Sequence, residues 1–389
     1  MKQLLLKRKP SDRLLSGHPW IFGNELNDPK EFIEGGELVD VFTGDKKFFG
    51  RGYYNPKSQI RVRLLTHEKE VINQDFFTRK IQSAWDYRRK LGYTENARIV
   101  FGEADFLPQL IIDKFNDYFV IQTLALGIDQ WKPEIVKAIE SIFNPKGIYE
   151  RNDVPVRELE GMVQQKGILS GNFEPLIQIR ENALLFNVDL EGGQKTGYFL
   201  DQQDNRREIR HIVKDADVLG AFTYTGSFEV HAAHYGAKSV LGIDISENAV
   251  KQANANAALN GLEKICRFET DNVFDRLKHY DREGAKFDVV MLDPPSFAKS
   301  REQVDKAAAG YKEINLRGMK LIRPGGFLVT SSCTNLISPQ HFLEIIQSAA
   351  KDARRRIRQV TYRSQSADHP IIWGWENTHY LKFLIVQVI

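Results

Sequence analysis

From about residue 180 onward the sequence alternates short apolar runs with helical patterns, and this alternation constrains the fold more than any other feature. Residues 218–219, 239–243, 265–269, 287–292 and 327–330 read as buried strands, and 247–259 and 338–350 as the clearest helices. Ser338-Pro339 supplies an N-cap followed by proline at the first helical position. Strand, helix, strand in repetition requires crossover connections, so an α/β, doubly wound, mostly parallel sheet is expected, carried to the end of the chain by a strand over 380–389. Such sheets hold their chemistry at the C-terminal ends of the strands.

All five of those ends carry distinctive residues. The first is a short loop bounded by Gly220 and Gly226, with Phe222 and Tyr224 inside it, which lets backbone approach a ligand closely. It does not match the G-x-G-x-x-G pattern of a dinucleotide phosphate cradle. The second strand ends at Asp244, followed by Ile245, where a carboxylate can accept both hydrogen bonds of a ribose diol. Asp271-Asn272 follows the third strand and is placed to meet an adenine amine. Together these imply an adenosine ligand with no pyrophosphate, and S-adenosylmethionine fits.

Asp293-Pro294-Pro295 follows the fourth strand, its two prolines fixing the loop so that carboxylate and carbonyl face the pocket at defined positions. Forty residues on, Cys333 ends the next strand. A cysteine after a strand is by itself most often a small core residue. Opposite a methyl donor and an acid-Pro-Pro loop it reads as a nucleophile. Carbon 5 of a pyrimidine becomes reactive once a thiolate adds to carbon 6, and Asp293 is positioned to hold the ring at nitrogen 3.

Composition narrows the alternatives. At 389 residues the chain is too long for one core. Its two cysteines, Cys266 and Cys333, cannot build a disulfide framework, and no His/Cys cluster has zinc spacing. No metal is expected. The charged first residues and the lack of any long apolar window lead to a cytoplasmic expectation, with no membrane partner. Net charge is only +3, but Lys46 to Arg63 holds six basic residues and no acid, interleaved with Phe48, Phe49, Tyr53 and Tyr54. This segment can neutralise phosphates and stack on bases, or be a solvated strand face. A second basic run, Lys351 to Arg363, reads as a helix surface.

Residues 1–68 contain short runs (36–42, 48–53 and 60–65) broken by Gly, Pro and Asn, which suggests a small β-barrel; Gly17-His18-Pro19-Trp20 is expected to be a structural corner with Trp20 in the core. Residues 69–180 read as helix 71–90, a hairpin of 110–113 and 118–124 around Asn116-Asp117, helix 131–143, and strands 147–151 and 176–179. This is an α+β middle domain, and 181–389 is the third.

These residues resemble the class I methyltransferases that modify cytosine at carbon 5 in large-subunit ribosomal RNA. Ser16 to Phe22 and Gly50 to Asn55 are similar to the family's N-terminal PUA module, and Arg157-Glu158-Leu159-Glu160-Gly161 to its middle region. Lys195 to Gln202 resembles the segment that closes over the cofactor, which brings in Phe199, Asp201 and Gln202. Phe222 to Gly226, Asp293 to Phe297, Tyr311 to Asn315 and Ser332-Cys333 complete the match. The resemblance implies a PUA domain that docks RNA, a Rossmann-like catalytic domain using S-adenosylmethionine, Cys333 as nucleophile, and Asp293 with Pro294 at the base and cofactor. Large-subunit ribosomal RNA is the implied partner, and a homodimer is left open. Gly220 stands where the family usually has an acid, Ser227 where it often has glycine, and Phe106 and Gln109 where it commonly has glycines. A uracil or base-amine methyltransferase, and a non-enzymatic RNA-binding protein, are the alternatives.

Overall fold

The computed structural model describes residues 1–298 and 300–389. The chain divides into two compact units: Met1–Ile179 with Val188–Leu200 and Ala367–Thr378, and Arg180–Asn187 with Asp201–Ser366 and His379–Ile389.

The first unit holds two five-stranded sheets. In the first, Leu38–Phe42, Phe48–Tyr54 and Ile60–Thr66 form an antiparallel meander, flanked by Lys2–Leu5 and Trp20–Phe22. The period-two side chains Val39 and Val41 are fully buried with Ile21 and Val62, as expected of a sheet with one face on a core. The second sheet runs Gln165–Gly171, Gly147–Asn152, Tyr118–Thr123, Leu110–Phe115, Asn96–Phe101. Asn116 adopts φ 53° at the predicted tight turn of the hairpin. Helices Gln74–Lys90 and Lys132–Phe143 bury Phe76, Phe77 and Ile81, and Ile135, Ala138 and Ile139, in one cluster with strand residues such as Ile112 and Ile121. The strands Lys2–Leu5, Trp20–Phe22, Asn96–Phe101 and Gln165–Gly171 were not expected from the sequence; short strands carry little periodicity.

Several expectations change here. Tyr53 and Tyr54 are 1% and 7% exposed, and Tyr53 donates its hydroxyl to the Pro108 carbonyl (2.8 Å), so neither ring offers a face to a base. Arg63 is buried in an ion pair with Glu160 (2.8 Å) and Arg51 pairs with Asp40 (2.8 Å). The basic run therefore supplies Lys46, Lys47, Lys57 and Arg61 to the surface rather than six cations. Trp20 is only half-buried, its indole N–H donating to Glu103 (2.8 Å). Phe106 and Gln109 both sit at positive φ (58° and 65°), the left-handed region that glycine occupies without strain.

The second unit is built on one seven-stranded sheet. Its strands are β1 (Asp217–Ala221), β2 (Ser239–Asp244), β3 (Cys266–Thr270), β4 (Phe287–Leu292), β5 (Ile322–Cys333), β6 (Ile357–Arg363) and β7 (Leu381–Val388), in the order β3-β2-β1-β4-β5-β7-β6. The first five are parallel; β7 runs antiparallel between β5 and β6. Helices α1 (Ser227–His234), α2 (Glu247–Leu259), α3 (Val273–Glu283), α4 (Val304–Leu321) and α5 (Pro339–Asp352) make the crossovers. Ser338 caps α5, its hydroxyl accepting from His341 N (3.2 Å). The strand order turns back with β4 placed next to β1, so the topological switch lies between these two parallel strands, and β1, β2, β4 and β5 end on one side.

The second basic run is not one helix surface. It leaves α5 at Asp352, turns through Arg354 at φ 54°, and continues as β6. Since β6 is the sheet edge, Arg356, Arg358 and Arg363 charge a row of otherwise inviting backbone groups, the usual protection of an edge strand.

Candidate active site

The β1 loop turns tightly: Phe222, Tyr224 and Gly226 all lie at positive φ (63°, 47° and 77°). For the two non-glycine residues this conformation costs about 1–3 kcal/mol each. Specific bonds hold it in place. Thr223 N donates to Ile243 O (3.1 Å), Tyr224 N to Asp244 Oδ2 (2.9 Å) and Gly226 N to Thr223 O (2.9 Å). A Cβ on Gly226 would stand 2.8 Å from the Phe268 ring and 2.9 Å from Ala253, so only glycine lets the loop close onto β3 and α2. The Phe222 ring packs edge-on to Phe274 and Phe297, 6.1 Å from each.

Asp244 ends β2 half-buried. Its Oδ1 accepts from Ser246 N (2.9 Å) and Oδ2 from Tyr224 N, so each oxygen is aimed by one backbone donor and keeps a lone pair for a ligand. Ile245 beside it is 71% exposed, an apolar surface at the strand end. Asp271 N donates to Asp244 O (2.9 Å), which ties the third strand end to the second. Asn272 is the N-cap of α3, its Oδ1 accepting from Phe274 N (3.0 Å) and Asp275 N (3.3 Å). With that oxygen committed to the helix, an acceptor for an adenine amine falls to Asp271 alone of the pair. Arg276, 3.7 Å from Asp271 Oδ2, is shared with Glu269.

The two motifs forty residues apart meet. The Cys333 thiol lies 3.7 Å from the Pro294 carbonyl. Asp293 N donates to Ala221 O (3.2 Å), and Asp293 Oδ1 accepts from Gln202 Nε2 (2.9 Å) and from the Ser331 hydroxyl. Both side-chain bonds fall on Oδ1, so a proton on this carboxyl sits on Oδ2. Burial pushes the Asp293 carboxyl above the usual aspartate range, opposed by the Ser331 and Gln202 hydrogen bonds and reinforced by nearby Asp201. Gln202 is held in turn by Asn205, which donates to its Oε1 (2.7 Å). Asp201, 3% exposed, accepts from the Tyr380 hydroxyl (2.7 Å), and its carbonyl accepts from Ser366 N (2.8 Å). Phe199 belongs to the first unit, where Lys195 lies 4.6 Å over its ring.

Four further residues lie near these and were given no individual role from the sequence. Ser331 orients Asp293. Tyr311, fully buried in α4 and 4.7 Å from the Phe297 ring, has a phenol whose ionisation is suppressed by burial and then by Cys333. Glu229 of α1 is 2% exposed, with Oε2 lacking a hydrogen-bond partner; burial raises its carboxyl to about 7. Lys382 is 1% exposed in β7. Its signal was visible, as the lone charge in the apolar stretch Leu381-Lys382-Phe383-Leu384-Ile385-Val386. Cys266, by contrast, is a core thiol pushed up to about 12 by burial. Among the described residues no cluster of His, Cys, Asp and Glu could hold a metal ion, and no helix is long and apolar enough to cross a membrane.

The chain is similar to known proteins in both of its matched regions. Residues 4–67 match the PUA-like domain family and residues 165–364 the S-adenosylmethionine-dependent methyltransferase family. Curated proteins named ribosomal RNA large subunit methyltransferase I align over almost the whole chain. That of Tolumonas auensis is 39% identical over 99% of this chain and 98% of its own. That of Klebsiella pneumoniae is 38% identical over 100% and 98%. A solved S-adenosylmethionine-dependent methyltransferase from Streptococcus mutans superposes with a TM-score of 0.83 at 22% identity, covering 100% of both chains. A methyltransferase solved in complex with SAH gives 0.84 at 22% identity and the same coverage. At that identity the two structures speak for the fold.

Proposed function

This chain belongs to the ribosomal RNA large subunit methyltransferase I family and uses S-adenosylmethionine, and from that premise we propose that it forms 5-methylcytosine in large-subunit ribosomal RNA through a covalent Cys333 adduct. The observation that carries the reading is the meeting of Cys333 with the Asp293-Pro294 loop, thiol to carbonyl at 3.7 Å.

The residues present fit the cofactor. Asp244 keeps a lone pair on each oxygen for a ribose diol, Asp271 keeps a carboxylate for an adenine amine, and the buried Glu229 Oε2, having no partner, suits a ligand that is itself cationic. Phe222, Tyr224 and Gly226 shape the loop beneath it, and Ile245 gives an apolar surface. Asp201, Gln202, Asn272 and Pro294 complete the proposed binding set, with Gln202 reaching it through its bond to Asp293 and Asp201 lying near that carboxyl. When bound, the cofactor supplies an electrophilic methyl carbon.

The chain's own residues do the rest. The Cys333 thiolate adds to carbon 6 of the cytosine, the carbon 5–carbon 6 π pair moves toward carbon 5 and nitrogen 3, and carbon 5 becomes nucleophilic. When protonated, Asp293 donates a hydrogen bond from Oδ2 to nitrogen 3 as charge gathers there, and the burial that raises its carboxyl favours that form. After carbon 5 takes the methyl, its proton leaves to a base, the electron pair re-forms the double bond, and the carbon–sulfur bond breaks to return the thiolate.

The test is to incubate Cys333→Ala with labelled S-adenosylmethionine and ribosomal RNA. Loss of transfer with cofactor binding kept supports the adduct, and normal transfer sinks it. RNA carrying 5-fluorocytidine is expected to trap the wild-type enzyme covalently. Mass mapping of the product nucleoside separates carbon 5 of cytosine from uracil and from a base amine.

A further inference from the structure

The antiparallel neighbours β6 and β7 are joined by residues 364–380, far longer than the about two to five residues that join most hairpins. Its middle, Ala367–Thr378, belongs to the first unit and is anchored there on each side of a tip. Asp368, 0% exposed, accepts from Arg98 N at Oδ2 (2.8 Å) and from Arg88 Nη2 at its carbonyl (2.7 Å). Trp375, 3% exposed, packs its ring 5.1 Å from His18 and edge-on to Phe106 at 6.1 Å. Between these anchors Trp375 N donates to Ile372 O (3.0 Å) and Gly374 stands at φ 85°, the pattern of a type II turn with Trp373 at its second position. Thr378 fastens the base of that turn, its hydroxyl accepting from Ile372 N (3.0 Å) and donating to Trp375 O (2.8 Å). Trp373 itself is 95% exposed, and a Cβ built on Gly374 would meet nothing within 4 Å. A well-fastened turn thus holds an indole out in open solvent.

The other four tryptophans are placed differently: Trp85 and Trp131 pack on the first unit's core, Trp375 is buried and Trp20 half-buried. A lone tryptophan offers about 150–250 Å² for burial, well under the roughly 800 Å² per partner of a stable protein interface. Its exposure leaves both ring faces reachable, which suits a thin planar partner. Every nucleobase presents such a face, and unpaired bases are held by stacking on aromatic rings. Beside Trp375, Phe106 is 51% exposed with the Lys80 ammonium 5.7 Å over its ring, so the same unit supplies a cation for the RNA backbone. Exposed Glu376, next after Trp375, disfavours a phosphate at the tip itself and leaves the ring to a base. We propose that Trp373 is a stacking platform for an unpaired base of the ribosomal RNA substrate. This rests on the reading of the chain as a ribosomal RNA methyltransferase and asks nothing of Cys333.

The experiment is acrylamide quenching of tryptophan fluorescence in the full-length protein, with and without protein-free large-subunit ribosomal RNA. Acrylamide is uncharged, so RNA does not repel it, and the readily quenched fraction reports chiefly on Trp373. RNA is expected to remove most of that fraction, and Trp373→Phe to lack it from the start. A fully paired RNA duplex, which offers no free base face, is expected to leave it in place. Trp373→Ala is expected to bind ribosomal RNA about 5- to 100-fold more weakly, with Trp373→Phe between it and wild type. Melting temperature and S-adenosylmethionine affinity are expected to stay unchanged in both variants. Trp373 remaining quenchable in the RNA complex overturns the proposal, a result that needs no variant to fold. So do equal RNA affinities of wild type and Trp373→Ala, and equal protection by the duplex. Protection that grows with protein concentration alone overturns it too, by marking a second copy of the chain as the occupant. Failure of the covalent reading is a separate result: Cys333→Ala that still transfers methyl leaves the RNA protection of Trp373 standing.

Discussion

Glu229 of α1 occupies the space that a side chain on Gly220 of β1 would fill: a Cβ built on Gly220 collides with Glu229 Oε1. An acid is customary at position 220 in the family this chain resembles, and here a carboxyl reaches the same place from the neighbouring helix. Gly220→Asp is therefore expected to overpack the β1–α1 contact and place two carboxyls together, destabilising the protein by about 1–3 kcal/mol. Gly220→Asp with Glu229→Ala is expected to recover most of that loss. Thermal unfolding of the two singles and the double gives the coupling; additive effects would mean that the two sites do not share the space.

Glu229 also makes a pH prediction. Its folded pKa of about 7 lies above the ordinary value of 4.5, because burial penalises the charged form. Below 4.5 the group is neutral in both folded and unfolded chains. As pH rises from 4.5 through 7 the unfolded chain ionises first, so stability falls across that window. Buried His231, lowered to about 4, has the opposite slope in acid, so the difference between wild type and Glu229→Gln isolates the glutamate. Melting temperatures at pH 5 and pH 8 should show a larger drop in the wild type. Parallel profiles would refute the assignment.

Ser331 sets the acidity of Asp293. Its hydroxyl is the largest influence holding that carboxyl down against burial, and Gln202 is the second side-chain donor. Ser331→Ala is expected to raise the Asp293 pKa further, which extends the protonated form to higher pH. In the pH–rate profile the limb belonging to Asp293 then moves upward, while S-adenosylmethionine affinity changes little. An unmoved profile would show that Asp293 does not titrate in the reaction.

How much of this was legible in the sequence depended on where the deciding force lay. The parallel strands announced themselves because both faces are buried and the runs are continuously apolar, and Asp244, Asp293 and Cys333 followed from their places at strand ends. What failed were readings of composition without partners. Arg63 and Tyr53 looked like surface chemistry until Glu160 and the Pro108 carbonyl, distant in sequence, proved to hold them. The basic residues after Asp352 looked helical because charge carries no period of its own, whereas β7 pairing makes them an edge strand. Phe106 and Gln109 were noticed as replacements for glycine. The structure supplies the reason, a left-handed backbone at both.

Through Tyr224 N and Ser246 N, Asp244 locks the loop after β1 against the turn after β2, and in the proposed function the same carboxylate also receives the ribose diol. Hydrogen bonds to a charged group are worth about 1.5–3 kcal/mol each. Asp244→Ala is expected to weaken S-adenosylmethionine binding by about 10- to 100-fold, equal to about 1.4–2.8 kcal/mol at tenfold per 1.4. Asp244→Asn keeps the shape, but its amide N cannot accept from a backbone N–H. One of the two locking bonds must then be lost, and binding should fall between wild type and alanine. Calorimetric titration of each variant measures the affinity, and limited proteolysis at the 222–226 loop measures the lock. If both variants bind like wild type with the loop equally protected, the ribose is held elsewhere and Asp244 is only a structural brace.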